Sequence, residues 1–215
     1  MSVVLLVRHG QASFGSGDYD RLSPVGECQS RLVGRALAAQ GVTPGPVVAG
    51  TMRRQYDTAA LAALEAGWDV EVKSDPAWNE FDLDTVVRVA RDHPAATDSD
   101  AFQVALEAGL RDWVSCDPVP GPQETHPGFS ARVDRALQGL VAGMGARETA
   151  VVSTSAGVIS WISSGLLGGG VEEWIRLNRV CVNAAVTKIV VGRRGMSLVS
   201  FNEHGHVVPK SVTYR

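Results

Sequence analysis

The chain has 215 residues, 45% of them apolar and 20% charged, enough for one large single-core domain over residues 1–215. A formal net charge of −3 leaves no basic footprint, so nucleic acid and anionic membrane surfaces are not expected partners, and any anion must be met by locally focused cations. The apolar start, Val3-Val4-Leu5-Leu6-Val7, is too short to span a bilayer and lacks the basic flank and cleavage site of a signal peptide, so cytoplasm is the expected location.

Residues 2–7 form a β-branched run without polar alternation, which predicts a strand buried on both faces. Ser23 followed by Pro24 reads as a helix start, with Gly41 as the stop after Gln40. Residues 46–49 predict a second buried strand, residues 53–66 a helix closed by Gly67, and residues 70–73 an edge strand. Between about 75 and 125 the pattern is less regular and reads as an insertion over the sheet. Helices are predicted there over 84–91 and 99–114, and the prolines of Asp117-Pro118-Val119-Pro120-Gly121-Pro122 exclude helix and central strand. Beyond it, Phe129, Val133, Leu137 and Leu140 mark one helix face, residues 149–152 a buried strand, and residues 157–167 an apolar helix. Residues 185–191 and 196–201 flank Gly192-Arg193-Arg194-Gly195 as a hairpin. Strands alternating with helices predict an α/β fold, three α/β/α layers around a mostly parallel central sheet with an antiparallel end strand. The cysteines Cys28, Cys116 and Cys181 are odd in number and without metal spacing, and each reads as a small core residue.

Ligands of such sheets sit beyond the carboxyl ends of the strands, which directs attention to Arg8-His9-Gly10-Gln11. A neutral imidazole at a strand end can attack phosphorus, an adjacent guanidinium can hold phosphate oxygens in a fork, and Gly10 allows close backbone approach. Alone, the tripeptide reads better as a half-buried structural histidine. Support comes from Thr51-Met52-Arg53-Arg54, which sets arginines at a helix N-terminus. Free N–H groups and the helix dipole favour an anion there and disfavour cations unless something negative is bound. Arg53 reads as solvated, and Arg54 as an anion ligand.

Together these segments resemble the histidine phosphatase superfamily, which includes the cofactor-dependent phosphoglycerate mutases. Arg8-His9-Gly10 is similar to the family signature, and Leu22-Ser23-Pro24-Val25-Gly26-Glu27-Cys28-Gln29 to the segment opening its first helix. The stretch from Thr51 to Ala59 resembles the phosphate-binding segment, and Trp78-Asn79-Glu80 the one carrying the general acid. Gln123-Glu124-Thr125 is similar to a Gly-Glu-Ser motif, and Asn202-Glu203-His204-Gly205-His206 to a C-terminal Asn-x-x-x-His ending of its phosphatase branch. The resemblance implies a phosphoglycerate mutase-like fold, with His9 as nucleophile and Glu80 as proton donor. It implies Arg8, Arg54, Ser155 and Gln11 as phosphate ligands, a small phosphorylated metabolite as partner, and neither cofactor nor metal.

Three positions depart from the family pattern. Its second histidine is replaced by Ser155 in Val152-Ser153-Thr154-Ser155-Ala156-Gly157, its asparagine after the signature by Gly15, and its glycine after the general acid by Asp84. A hydroxyl donates a hydrogen bond but brings no positive charge. The resemblance therefore implies hydrolysis of a small phosphomonoester through a phosphohistidine on His9. Alternatives are mutase-type phosphoryl transfer and a phosphate-binding pseudoenzyme, which Ser155 keeps open although the retained His9 and Glu80 argue against it. Trp78, Phe81 or His126 are candidates for leaving-group recognition, Phe14 and Trp78 for pocket walls or core, and Trp161 and Trp174 for core or the interface of an oligomer.

Overall fold

The structure, a computed structural model, describes residues 1–13, 20–83, 85–86, 99–115 and 124–214. Its frame is one sheet of six strands in the order β3-β2-β4-β1-β5-β6. These are β1 (Ser2–Arg8), β2 (Val47–Ala49), β3 (Val72–Ser74), β4 (Thr149–Thr154), β5 (Val186–Gly192) and β6 (Gly195–Glu203). The strands β3, β2, β4 and β1 are mutually parallel, and β5 runs antiparallel to both β1 and β6. The antiparallel end is thus a whole hairpin.

The period-2 geometry of a strand explains why residues 2–7 show no polar alternation. Val4 and Leu6 point into one apolar cluster with Trp78, Phe129, Ile159 and Trp174, whereas Leu5 and Val7 point into another with Val33, Leu37 and Ala59. Helices α1 (Pro24–Ala39) and α2 (Arg53–Ala66) cover the second face. Helices α3 (Ser99–Ser115), α4 (His126–Gly143), α5 (Ala156–Leu166) and α6 (Val171–Val180) supply the first. The α/β sandwich of three layers follows from a sheet that is apolar on both sides.

Local chemistry sets the helix ends. Ser23 accepts the Gly26 N–H at 3.1 Å and Pro24 stands in the first turn of α1, while α2 closes on Gly67 in the left-handed conformation. One expectation needs correction, one open alternative is resolved, and one element was not foreseen. Cys28 is exposed, because the buried stripe of α1 runs through Gly26, Gln29, Ser30, Val33, Gly34 and Leu37 and leaves it on the opposite face. Trp174 is fully buried and belongs to the core. The sequence reading assigned nothing between 168 and 184, where α6 lies, with Glu172 and Glu173 in its first turn and Trp174 and Ile175 facing inward. Of the helix expected over 84–91, Thr85 and Val86 are helical, as is Leu83 just before it; Asp84, residues 87–91, Cys116, the proline loop 117–122 and Gln123 lie outside the described residues, as do Phe14 and Gly15.

Candidate active site

His9 follows β1 at the carboxyl end of the sheet, buried at 5% exposure, and its N–H bonds the Thr154 carbonyl at 2.8 Å. Its ring bonds define the tautomer. Nδ1 lies 2.7 Å from the Gly10 carbonyl, which can only accept, and Nε2 lies 3.2 Å from the Nε–H of Arg54, which can only donate. Nδ1 therefore carries the proton and Nε2 presents its lone pair to the arginine. Burial, and then the charges of Arg54 and Arg8, hold the imidazole well below its ordinary value of 6.5, so it is neutral.

Arg54 stands in the first turn of α2, buried, and donates also to Asp20 Oδ1 at 2.7 Å. The second oxygen of Asp20 accepts the Arg53 N–H at 2.8 Å, so a carboxylate occupies the position that dipole reasoning reserved for an anion. Asp20 reaches it because a short antiparallel bridge, Ala12 with Leu22, returns the chain over the helix end. Arg53 is exposed and pairs with Asp57 one turn on, at 3.5 Å. Gly10 donates to Thr58 Oγ1 at 3.0 Å, and a Cβ on it would lie 2.3 Å from the Gly26 carbonyl, so its close approach is to α1.

Glu80 comes from the loop after the 3₁₀ turn Pro76–Trp78. Its Oε2 accepts the Gly157 N–H in the first turn of α5 at 2.9 Å, and Oε1 accepts the Phe81 N–H at 3.2 Å. Burial raises its carboxyl above the usual range, opposed by those two N–H bonds and by the charges of Arg54 and Arg8. Because both arginines act on both His9 and Glu80, the four groups share one electrostatic neighbourhood. The loop is clasped at two points. Asn79 accepts the Thr51 N–H at 2.7 Å and donates to its hydroxyl, and Arg132 donates to the carbonyls of Ala77 and Asn79, at 2.9 Å each, while forking onto Glu124.

The register Arg8 with Thr154 sets Ser155 beside His9 at the ends of β1 and β4. Ser155 is buried, and its Oγ accepts from Gln55 Nε2 at 2.7 Å. The guanidinium of Arg8 donates to the Cys181 carbonyl and, at 2.8 Å, to that of Tyr214. Gln11 holds the neighbouring turn: its Oε1 accepts from Ser23 Oγ at 2.9 Å and its N–H bonds Gln29 Oε1 at 2.8 Å. Asn183, fully buried, donates to the His9 carbonyl at 3.0 Å. The C-terminal histidines bond backbone, Nδ1 of His204 with the Asn202 carbonyl at 2.6 Å and Nε2 of His206 with that of Ala184 at 2.9 Å. His126 and Phe81 are buried among Trp113, Phe129 and Trp174. Trp78 is buried too, its carbonyl taking Gln55 and Thr154 Oγ1. Among the described residues no group of His, Cys, Asp or Glu could hold a metal ion, and no helix is long and apolar enough to cross a membrane.

A neutral imidazole nitrogen facing a buried guanidinium, with a carboxyl of raised pKa under the same two arginine charges, brings together the group types that nucleophilic and acid–base chemistry require. The sequence model of the histidine phosphatase superfamily (branch 1) matches residues 4–204, and the chain belongs to that family. Among solved structures, a mycobacterial glucosyl-3-phosphoglycerate phosphatase in complex with VO3 superposes with a TM-score of 0.70 at 24% identity, covering 94% of this chain and 99% of that one. A phosphoserine phosphatase from Entamoeba histolytica, in complex with phosphoserine, gives 0.68 at 18% identity, covering 97% and 100%. Both likenesses establish the shared phosphoglycerate mutase-like fold. No curated protein sequence matches the chain.

Proposed function

We propose that the protein hydrolyses small phosphomonoesters through a phosphohistidine on Nε2 of His9. The observation that carries this reading is the fixed tautomer of His9, with Nδ1–H tied to Gly10 and the Nε2 lone pair turned to Arg54. In the first step that lone pair attacks phosphorus, the bond to the leaving oxygen breaks, and the protonated Glu80 gives that oxygen its proton. The Gly10 carbonyl takes up the positive character of the phosphorylated ring, and the charges of Arg54 and Arg8 offset that spread over the phosphoryl oxygens. In the second step Glu80, now ionised, removes a proton from water, whose oxygen attacks phosphorus. The P–N bond breaks and neutral His9 is restored.

Hydrolysis is favoured over a binding-only role because anion binding needs neither a neutral imidazole nor a carboxyl of raised pKa. The named phosphatases of the same fold are in keeping with the class of reaction. The test is turnover of an aryl phosphate between mildly acidic and neutral pH by wild type and His9→Ala, with acid-labile phosphate on the protein sought in a rapid quench. Turnover and a trapped phosphoprotein, both lost in His9→Ala, are expected. No turnover by either protein at high enzyme concentration would return the reading to a phosphate-binding pseudoenzyme.

A further inference from the structure

Ser155 is the N-cap of α5, yet it does not cap. Serine at this position ordinarily accepts an N–H from the first turn of its helix. Here no such bond forms, because Glu80 takes the Gly157 N–H and the Ser155 hydroxyl is turned to Gln55 at 2.7 Å.

Gln55 is an uncharged polar residue at zero exposure, in the first turn of α2, on the stripe that also holds Thr58, Ala59, Ala62 and Ala63. Its amide orientation is fixed by its second partner. The Trp78 carbonyl, 3.3 Å from Nε2, can only accept, so the NH₂ group must face both it and Ser155. The Ser155 oxygen is therefore an acceptor in that bond, and its own O–H remains to donate elsewhere. The other end of the amide, Oε1, is buried against Gly50 and has no hydrogen-bond partner among the described residues. An apolar side chain of the same size would avoid that orphaned acceptor. The Trp78 carbonyl also takes Thr154 Oγ1 and would keep that donor without Gln55, so the bond that calls for a glutamine is the one that holds the serine.

Arg54 and Gln55 are consecutive residues of α2. One bonds His9 Nε2, and the other bonds the residue registered beside His9 on the next strand. We infer that Gln55 is a positioning residue that aims the Ser155 hydroxyl as a hydrogen-bond donor at the phosphoryl group on His9. This rests on the phosphatase reading for the identity of the group. The pair supplies a neutral donor at the place where the family resemblance sets a histidine, so the oxygens are held there without added charge.

The test is a double-mutant cycle of Gln55→Met and Ser155→Ala with two readouts. One is orthovanadate affinity by calorimetry, which needs no turnover, and the other is kcat for an aryl phosphate. Each single substitution should weaken orthovanadate binding and lower kcat, the latter by about 10²–10³-fold, the range for one preorganised donor. The double variant should be no worse than Ser155→Ala, because Gln55 acts only through the hydroxyl. The melting temperature of Gln55→Met should not fall, which separates positioning from a structural role. Gln55→Glu provides the check if Gln55→Met does not fold: its carboxylate accepts from Ser155, reverses the bond, and should match the loss seen in Ser155→Ala. Unchanged vanadate affinity in Gln55→Met or Gln55→Glu, or effects that multiply in the double variant, would overturn the inference. A wild type that binds orthovanadate with the expected coupling but turns over no phosphate ester would sink the hydrolase reading and leave the donor pair standing. A wild type that binds no orthovanadate would sink both.

Discussion

Protonation of His9 measures how firmly the fold holds this ring neutral. Below the ordinary value of 6.5 the unfolded chain takes up a proton that the folded protein refuses, because burial and the two arginines depress the folded value. The stability tied to His9 is therefore complete above that pH and is lost as the pH falls towards the folded value. Between about pH 7.5 and about pH 5.5 one such proton is worth about 1.4 kcal/mol, or roughly 3–5 °C of melting temperature for a chain of this size. The variant His9→Asn keeps an N–H for the Gly10 carbonyl but no titrating ring. Scanning calorimetry of both proteins at both pH values gives a difference of differences in which His126, His206 and Glu80, present in each, cancel. Wild type should lose roughly 3–5 °C more than the variant on acidification. Equal losses would refute the claim that His9 is held neutral.

Glu80 has the opposite sign: its raised carboxyl stays protonated to higher pH, so kcat/KM for an alkyl phosphate should decline as the pH rises through that value. Glu80→Gln should lower kcat by about 10²–10⁴-fold and abolish this alkaline limb, and a limb that survives would assign it to another group. Gly157→Ala would bring a Cβ to 2.1 Å from Glu80 Oε1 and 2.5 Å from the Phe81 ring. Denaturant unfolding should register a loss of about 1–3 kcal/mol, and turnover should fall with it. Arg147, exposed with φ at 61°, is a left-handed non-glycine residue, and Arg147→Gly should raise stability by about 0.5–1 kcal/mol in the same unfolding assay.

The elements that chain-local signals control were legible in the sequence. The α2 bounds were readable because Gly67 stops the helix, and the α1 start because Ser23 and Pro24 form its cap. Strand β1 was legible because both its faces are apolar. Helix α6 escaped because only Trp174 and Ile175 of its ten residues are fully buried, so its apolar stripe is thin, and three glycines before it read as loop. The structure gathers His9, Arg54 and Glu80, but their supports come from far along the chain. Asp20 and Asn183 reach the site from turns and Arg132 from α4, contacts that no local pattern announces. Arg8 is held by carbonyls more than 170 positions away. Gln55 did leave a trace, a polar residue on the buried stripe of an otherwise small-residue helix face.

The place of β1 in the sheet also governs the order in which the protein can be made. Val4 is paired on one side with Ala150 and on the other with Ile189, so the strand bearing His9 leaves the ribosome long before either neighbour exists. Until then Val3, Val4, Leu5, Leu6 and Val7 form a β-prone, uncharged segment with both edges open, the kind that associates between chains. Closing such distant pairs is slow. Soluble yield should accordingly respond to translation speed and to holding chaperones more than to substitutions around His9, because β1 is made well before β4 and β5 and is sheltered only once both have followed.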